Sequence, residues 1–195
     1  MIPIPQSRPK ASLSVVMAAA KAEWEKTNTT PLPSLFVLGV RGYYDSTIGE
    51  AGNDINAYDD AFFIISFLSM TSWNGNTDPT RYGVNPHADG KCMARLKTGC
   101  WTMQPRMHRG KYQAYGQEES PVTVERIRAN GSISRTETGC FGIDLHLGGI
   151  NGTSSEGCQT VPPDQWEKFR KELNATLHLN NVKKFSYILI NGPLT

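Results

Sequence analysis

The sequence predicts a β-rich α+β fold: a single domain over residues 1–195, with a mostly antiparallel sheet or barrel, an N-terminal helix and a second helix after Cys158. Three observations predict it. Short apolar runs rich in Phe, Ile and Val, bounded by Gly, Asn and Asp, recur through the middle of the chain, which is the pattern of buried strands. Only two windows carry a clear helical period. No repeat, low-complexity tract or Pro/Gly/Ser-rich linker divides the 195 residues, a length that buries most of the surface an unfolded chain exposes.

Each element follows from its residues. Leu13, Val16, Met17, Ala20 and Trp24 recur at helical spacing, with Lys21, Glu23 and Lys26 elsewhere on the wheel. The β-branched and proline-rich stretch from Thr27 to Pro33 ends that helix. Arg8 and Lys10 precede this segment as in an export signal, but Ser14 and the amphipathic continuation through Trp24 read as a helix of the mature protein. Residues 35–40 and 61–68 are continuous apolar runs and read as buried strands, separated by a polar loop over residues 43–60. Residues 72–79 carry Asn-Gly and Asp-Pro signals and read as another loop. Shorter strands are predicted at residues 92–96, 100–103, 111–115, 122–128 and 139–147. Pro163 at a first helical position, Asp164 in the first turn, and the face made by Trp166, Phe169, Leu173 and Leu177 mark the second helix. Residues 185–190 close the chain as a final strand.

Composition excludes several classes of function. With 20 basic and 18 acidic residues, a net charge of +2 and no long run of either sign, the chain lacks the electrostatic footprint of a nucleic-acid binder. No apolar run approaches the roughly 20 residues that cross a bilayer, so no membrane insertion is expected. Cys92, Cys100, Cys140 and Cys158 lack paired zinc-site spacings, and His87, His108, His146 and His178 are scattered, so neither a metal nor a cofactor is expected. Cys92 and Cys100 either pair as a hairpin staple or stay reduced. The polar residues Asn53, Asp54, Asn56, Asp59 and Asp60 lack the glycine and terminal glutamate of a helix–loop–helix calcium site and read as loop.

Chemistry concentrates in residues 141–158, Phe-Gly-Ile-Asp-Leu-His-Leu-Gly-Gly-Ile-Asn-Gly-Thr-Ser-Ser-Glu-Gly-Cys. Strand alternation sets Phe141, Ile143 and Leu145 on one face, and Gly142, Asp144 and His146 on the other, away from the core. A thiol twelve residues further on, across a loop rich in small residues, suits nucleophilic catalysis, with the imidazole as the group that shuttles its proton. Gly148, Gly149, Gly152 and Gly157 permit close approach of a substrate backbone. Asp144 stands within about 7 Å of His146 along the strand and reads as a group that orients the imidazole, contacts an amine-bearing substrate, or is simply a solvated carboxylate.

The order His146, variable loop, Ser155-Glu-Gly-Cys158, led by Phe-Gly-Ile-Asp-Leu, resembles the L,D-transpeptidase family of cell-wall enzymes over about twenty residues. The short histidine-to-cysteine loop is similar to that of the compact variants among cell-wall-attacking toxins and phage lysis proteins. The resemblance implies a thioester at Cys158 formed with a peptidoglycan stem peptide, His146 as base, Ser155 near the substrate carbonyl, and Gly157 and Cys158 N–H groups as oxyanion donors. It also implies cleavage or exchange of stem peptides in the periplasm or cell wall, after synthesis in the cytoplasm and release or delivery, with any delivery or immunity partner left open. Where the family carries Arg or Asn shortly after the cysteine this chain has Gln159 and Thr160, so Arg126 and Arg128, which share a strand face, are candidates to hold a substrate carboxylate, and surface arginines are the plain alternative. Competing readings are a Cys140–Cys158 disulfide, a muramidase using Glu118 and Glu119, and a carbohydrate-binding or structural protein using Tyr43, Tyr44 and the Trp73–Asn76 stretch.

Overall fold

A computed structural model describes residues 1–44, 53–67, 69–117 and 119–194; Glu118 and Leu68 lie outside them, as does part of the predicted 43–60 loop. In chain order the elements are α1 (Leu13–Trp24), β1 (Phe36–Arg41), β2 (Asp60–Ser66), β3 (Ser69–Gly75), β4 (Met93–Leu96), β5 (Gly99–His108), β6 (Tyr112–Gly116), β7 (Val122–Ile127), β8 (Ile133–Gly139), β9 (Asp144–Leu147), β10 (Gln159–Val161), α2 (Pro163–Leu179) and β11 (Phe185–Asn191). Eight strands form one sheet in the order β10-β9-β6-β5-β11-β1-β2-β3, and β4-β7-β8 form a second. Pairing is antiparallel except for β1 with β11 and β9 with β10. The large sheet nearly closes on itself, because Asn76, just past β3, exchanges backbone hydrogen bonds of 2.8 Å each way with Thr160 of β10. This is the β-rich α+β domain expected from the sequence.

The central strands read as unbroken apolar runs because both of their faces are covered. Phe36, Leu38 and Val40 of β1, Phe63 and Ile65 of β2 and Ile188 of β11 pack with Val16 and Ala20 of α1. Their neighbours one position along, Val37, Phe62, Ile64, Tyr187 and Leu189, face the other way, into a core with Trp166, Phe169, Leu173 and Leu177 of α2. The period of two thus divides each strand between two cores. Phe169 is fully buried and meets the rings of Trp73, Tyr115 and Trp166. Phe169→Ala is expected to destabilise the fold by about 3–5 kcal/mol, read as a fall in the midpoint of urea unfolding; a change below 1 kcal/mol would contradict this account of the core.

Three expectations are corrected. The predicted 72–79 loop is half strand: Asn74-Gly75 ends β3 rather than forming a turn, and glycine is there because a Cβ would collide with the Phe62 ring. Of the predicted 139–147 strand only Asp144–Leu147 forms β9: Gly139 ends β8, and residues 140–143 leave the strand, with Gly142 at a φ of +71° outside the β region. β5 runs on past Met103 through Pro105 to His108. Proline is tolerated there because β11 pairs only with Gly99 to Met103, so beyond that point β5 has, among the described residues, a strand neighbour on one side alone.

Candidate functional site

β9 and β10 lie side by side and parallel, with Thr160 opposite His146 and Gln159 opposite Leu145. That register sets the end of the loop, and with it Cys158, against the start of β9. The Cys158 thiol accepts the Asp144 N–H at 3.4 Å and donates to the Gly142 carbonyl at 3.6 Å. All four cysteines are free thiols, so neither proposed disulfide is formed. Cys158, Asp144 and His146 line one cavity of about 510 Å³.

The loop that presents the thiol is held from within. Ser155 is buried; its Oγ donates to the Cys158 carbonyl at 2.7 Å and accepts the Gly157 N–H at 3.0 Å. Its own N–H donates to Thr80 Oγ1 at 2.9 Å. Ser155 therefore shapes the turn instead of facing the cavity. The Gly157 N–H, expected as an oxyanion donor, is occupied by Ser155. Gly157 adopts φ +139°, and a Cβ there would press on the Ala94 carbonyl at 2.7 Å. Ser155→Ala strands two backbone groups, so a loss of about 1–3 kcal/mol in stability is expected, together with reduced thiol reactivity; thermal melts and alkylation rates check both.

His146 is 3% exposed, so it lies in the floor of the cavity and not on an outer face as strand alternation suggested. Its Nδ1 is 2.7 Å from the Leu147 carbonyl and 3.3 Å from the Tyr112 hydroxyl. A carbonyl can only accept, so Nδ1 carries the proton and Nε2 the lone pair. Burial, reinforced by the charge of the neighbouring His108, pushes the His146 pKa down to about 4. Burial pushes the Cys158 thiol up to about 12. At neutral pH the resting site is thus a thiol and a neutral imidazole.

Asp144 does not orient His146. Its carboxylate is 2.6 Å from Nδ1 of His108 and 3.6 Å from Arg106. The His108 ring stacks on His146 with centroids 4.1 Å apart and planes 21° apart. Gly116, paired with Asp144 on β9, leaves the space that carboxylate occupies, since a Cβ would collide with it. His108 lies beyond the predicted 100–103 strand, because Pro105 signals a strand end in sequence. The signal was present in the alternation of Gln104, Arg106 and His108, which continues one face of β5.

The remaining sequence candidates separate. Arg126 reaches the cavity wall, but its guanidinium pairs with Glu137 at 2.8 Å and donates to the Cys92 carbonyl, so its charge is engaged. Arg128 is exposed, bonds Ser132 and the Ile133 carbonyl, and does not line the cavity. Gly148 and Gly149 instead seat Tyr58: a Cβ at Gly148 would collide with its hydroxyl, which donates to the Gly149 carbonyl at 2.8 Å. Gln159 and Thr160 are fully buried. Gln159 donates to the Gly157 carbonyl and accepts from Tyr187, so both residues tie the thiol loop into the sheet rather than meeting substrate. Arg109 and Lys91 add positive charge to the cavity wall, and Asp89 and Glu156 add negative charge. Among the described residues no cluster of His, Cys, Asp and Glu is arranged to hold a metal, and no helix is long and apolar enough to cross a membrane.

No protein-family model, no curated protein and no solved structure matches this chain.

Proposed function

We propose that this protein is a cysteine-dependent acyl-transfer enzyme that cleaves or exchanges peptidoglycan stem peptides through a thioester at Cys158. The observation that carries this reading is the Cys158 thiol, held between the Asp144 N–H and the Gly142 carbonyl beside a cavity whose floor is a neutral histidine. His146 takes the thiol proton on Nε2 as sulfur attacks the carbonyl, and gives it to the leaving amine. The Cys158 N–H is the oxyanion donor. The order of His146 and Ser155-Glu-Gly-Cys158, similar to that of L,D-transpeptidases, supports a stem peptide as substrate. So does a cavity that carries Arg109 and Lys91 together with Asp89 and Glu156, because such a peptide bears both amines and carboxylates. The proposed setting is the periplasm or cell wall, reached by release or delivery, as for an endolysin or an antibacterial toxin.

The test is mass spectrometry of the soluble products of purified sacculi treated with the wild type or with Cys158→Ala. Peptide cleavage or exchange by wild type alone supports the reading. Glycan fragments released equally by both would replace it with a muramidase, and no product from either with a binding or structural role.

A further inference from the structure

Of the three histidines that line the cavity, His87 stands beside Glu156 at 3.4 Å, and the stacked pair His108 and His146 have surroundings that differ in the way that matters for a proton acceptor. His146 is enclosed, and among the described residues its ring bonds the Leu147 carbonyl and the Tyr112 hydroxyl and no carboxylate. His108 donates Nδ1–H to Asp144 at 2.6 Å, which leaves its Nε2 lone pair available and places a carboxylate where it stabilises the imidazolium once a proton arrives. Arg106, 3.6 Å from the other carboxylate oxygen, keeps Asp144 in place. We infer that His108, oriented by Asp144, is a second catalytic base, which activates the water or amine that resolves the Cys158 thioester. The inference rests on the acyl-transfer reading above.

The stacking geometry divides the labour in time. With ring centroids 4.1 Å apart the two imidazoles repel as cations, so one proton at a time is held by the pair. In the first half-reaction the thiol proton passes by way of His146 to the leaving amine as S–C forms and C–N breaks. A base that gives up its proton readily suits that transit. In the second, the acceptor's proton moves to His108 Nε2 as the new C–O or C–N bond forms. The C–S bond then breaks, and the sulfur recovers the proton from His108. Water is a far weaker acid than a thiol, so this step gains most from a base whose charged form is paired with a carboxylate.

The experiment mixes a stem tetrapeptide with wild type, Cys158→Ala, His146→Asn, His108→Asn and Asp144→Asn, and follows intact protein mass and product release. His108→Asn is expected to accumulate the thioester adduct while turnover falls by about 10²–10⁴-fold, Asp144→Asn to behave alike but more mildly, and hydroxylamine, which needs no base, to discharge the adduct. His108→Phe, which keeps a ring against His146, repeats the test should the asparagine variant misfold. Turnover at the wild-type rate in folded His108 variants would overturn the inference, as would failure to form any adduct. Unaltered activity of Cys158→Ala would instead overturn the acyl-transfer reading beneath it.

Discussion

Replacing Cys158 with alanine is expected to lower stem-peptide turnover by at least about 10³-fold while leaving the fold intact. The reason is local. The thiol's two hydrogen bonds, to the Asp144 N–H and the Gly142 carbonyl, are long sulfur contacts of 3.4 and 3.6 Å, so their loss costs little stability. The Ser155 bonds that shape the loop run through the backbone and survive the substitution. Cys158→Ser is expected to be nearly as inactive, because a hydroxyl is a weaker nucleophile than a thiol. With its pKa pushed up to about 12, Cys158 carries little thiolate in the absence of substrate. Iodoacetamide at pH 7.5 should therefore label exposed Cys140 faster than Cys158, as read by peptide mass spectrometry. Faster labelling of Cys158 would mean a preformed thiolate, and a mechanism other than proton transfer concerted with attack.

His146→Asn is expected to lower kcat/KM by about 10²–10⁴-fold, and the wild-type pH profile should show why. A free-enzyme base with a pKa near 4 stays neutral through the physiological range, so the acid limb of kcat/KM should fall near pH 4 and not near 6.5. The same depression is a statement about stability. The folded state binds fewer protons at His146 than the unfolded chain, whose histidine titrates near 6.5. The contribution is therefore fully present above about pH 6.5 and is lost as pH falls towards 4, amounting to about 3 kcal/mol. His146→Asn removes a group that must stay neutral, so its stability should fall less than that of the wild type between pH 7.5 and 4.5 in urea unfolding. An acid limb at pH 6.5 with equal slopes for both proteins would refute this account.

Local patterns carried most of the fold. Both helices follow from spacing: α1 at Leu13–Trp24, where Ser12 caps the first turn by accepting the Val15 N–H, and α2 from Pro163. The strands buried on both faces announced themselves as unbroken apolar runs. β8 did not, because none of Ile133–Gly139 is buried and the strand reads Ile-Ser-Arg-Thr-Glu-Thr-Gly, with few apolar residues to detect. The Asn74-Gly75 pair misled because a glycine required by a neighbouring Phe ring looks the same in sequence as one required by a turn.

The sequence by itself determined the β-rich class, the two helices and the pairing in order of a histidine with a cysteine presented by a glycine-bounded loop. These follow from periodicity and local backbone preference, which act over a few residues. Only the tertiary structure decided which groups meet. The parallel register of β9 with β10 brings Cys158 against Asp144, and the β5–β6 hairpin carries His108 onto His146 and into the same carboxylate. Those contacts join residues 14 to 38 positions apart, where pairing of strands, and not local preference, sets distance. Burial, which depresses one imidazole and raises the thiol, exists only once the sheet has closed.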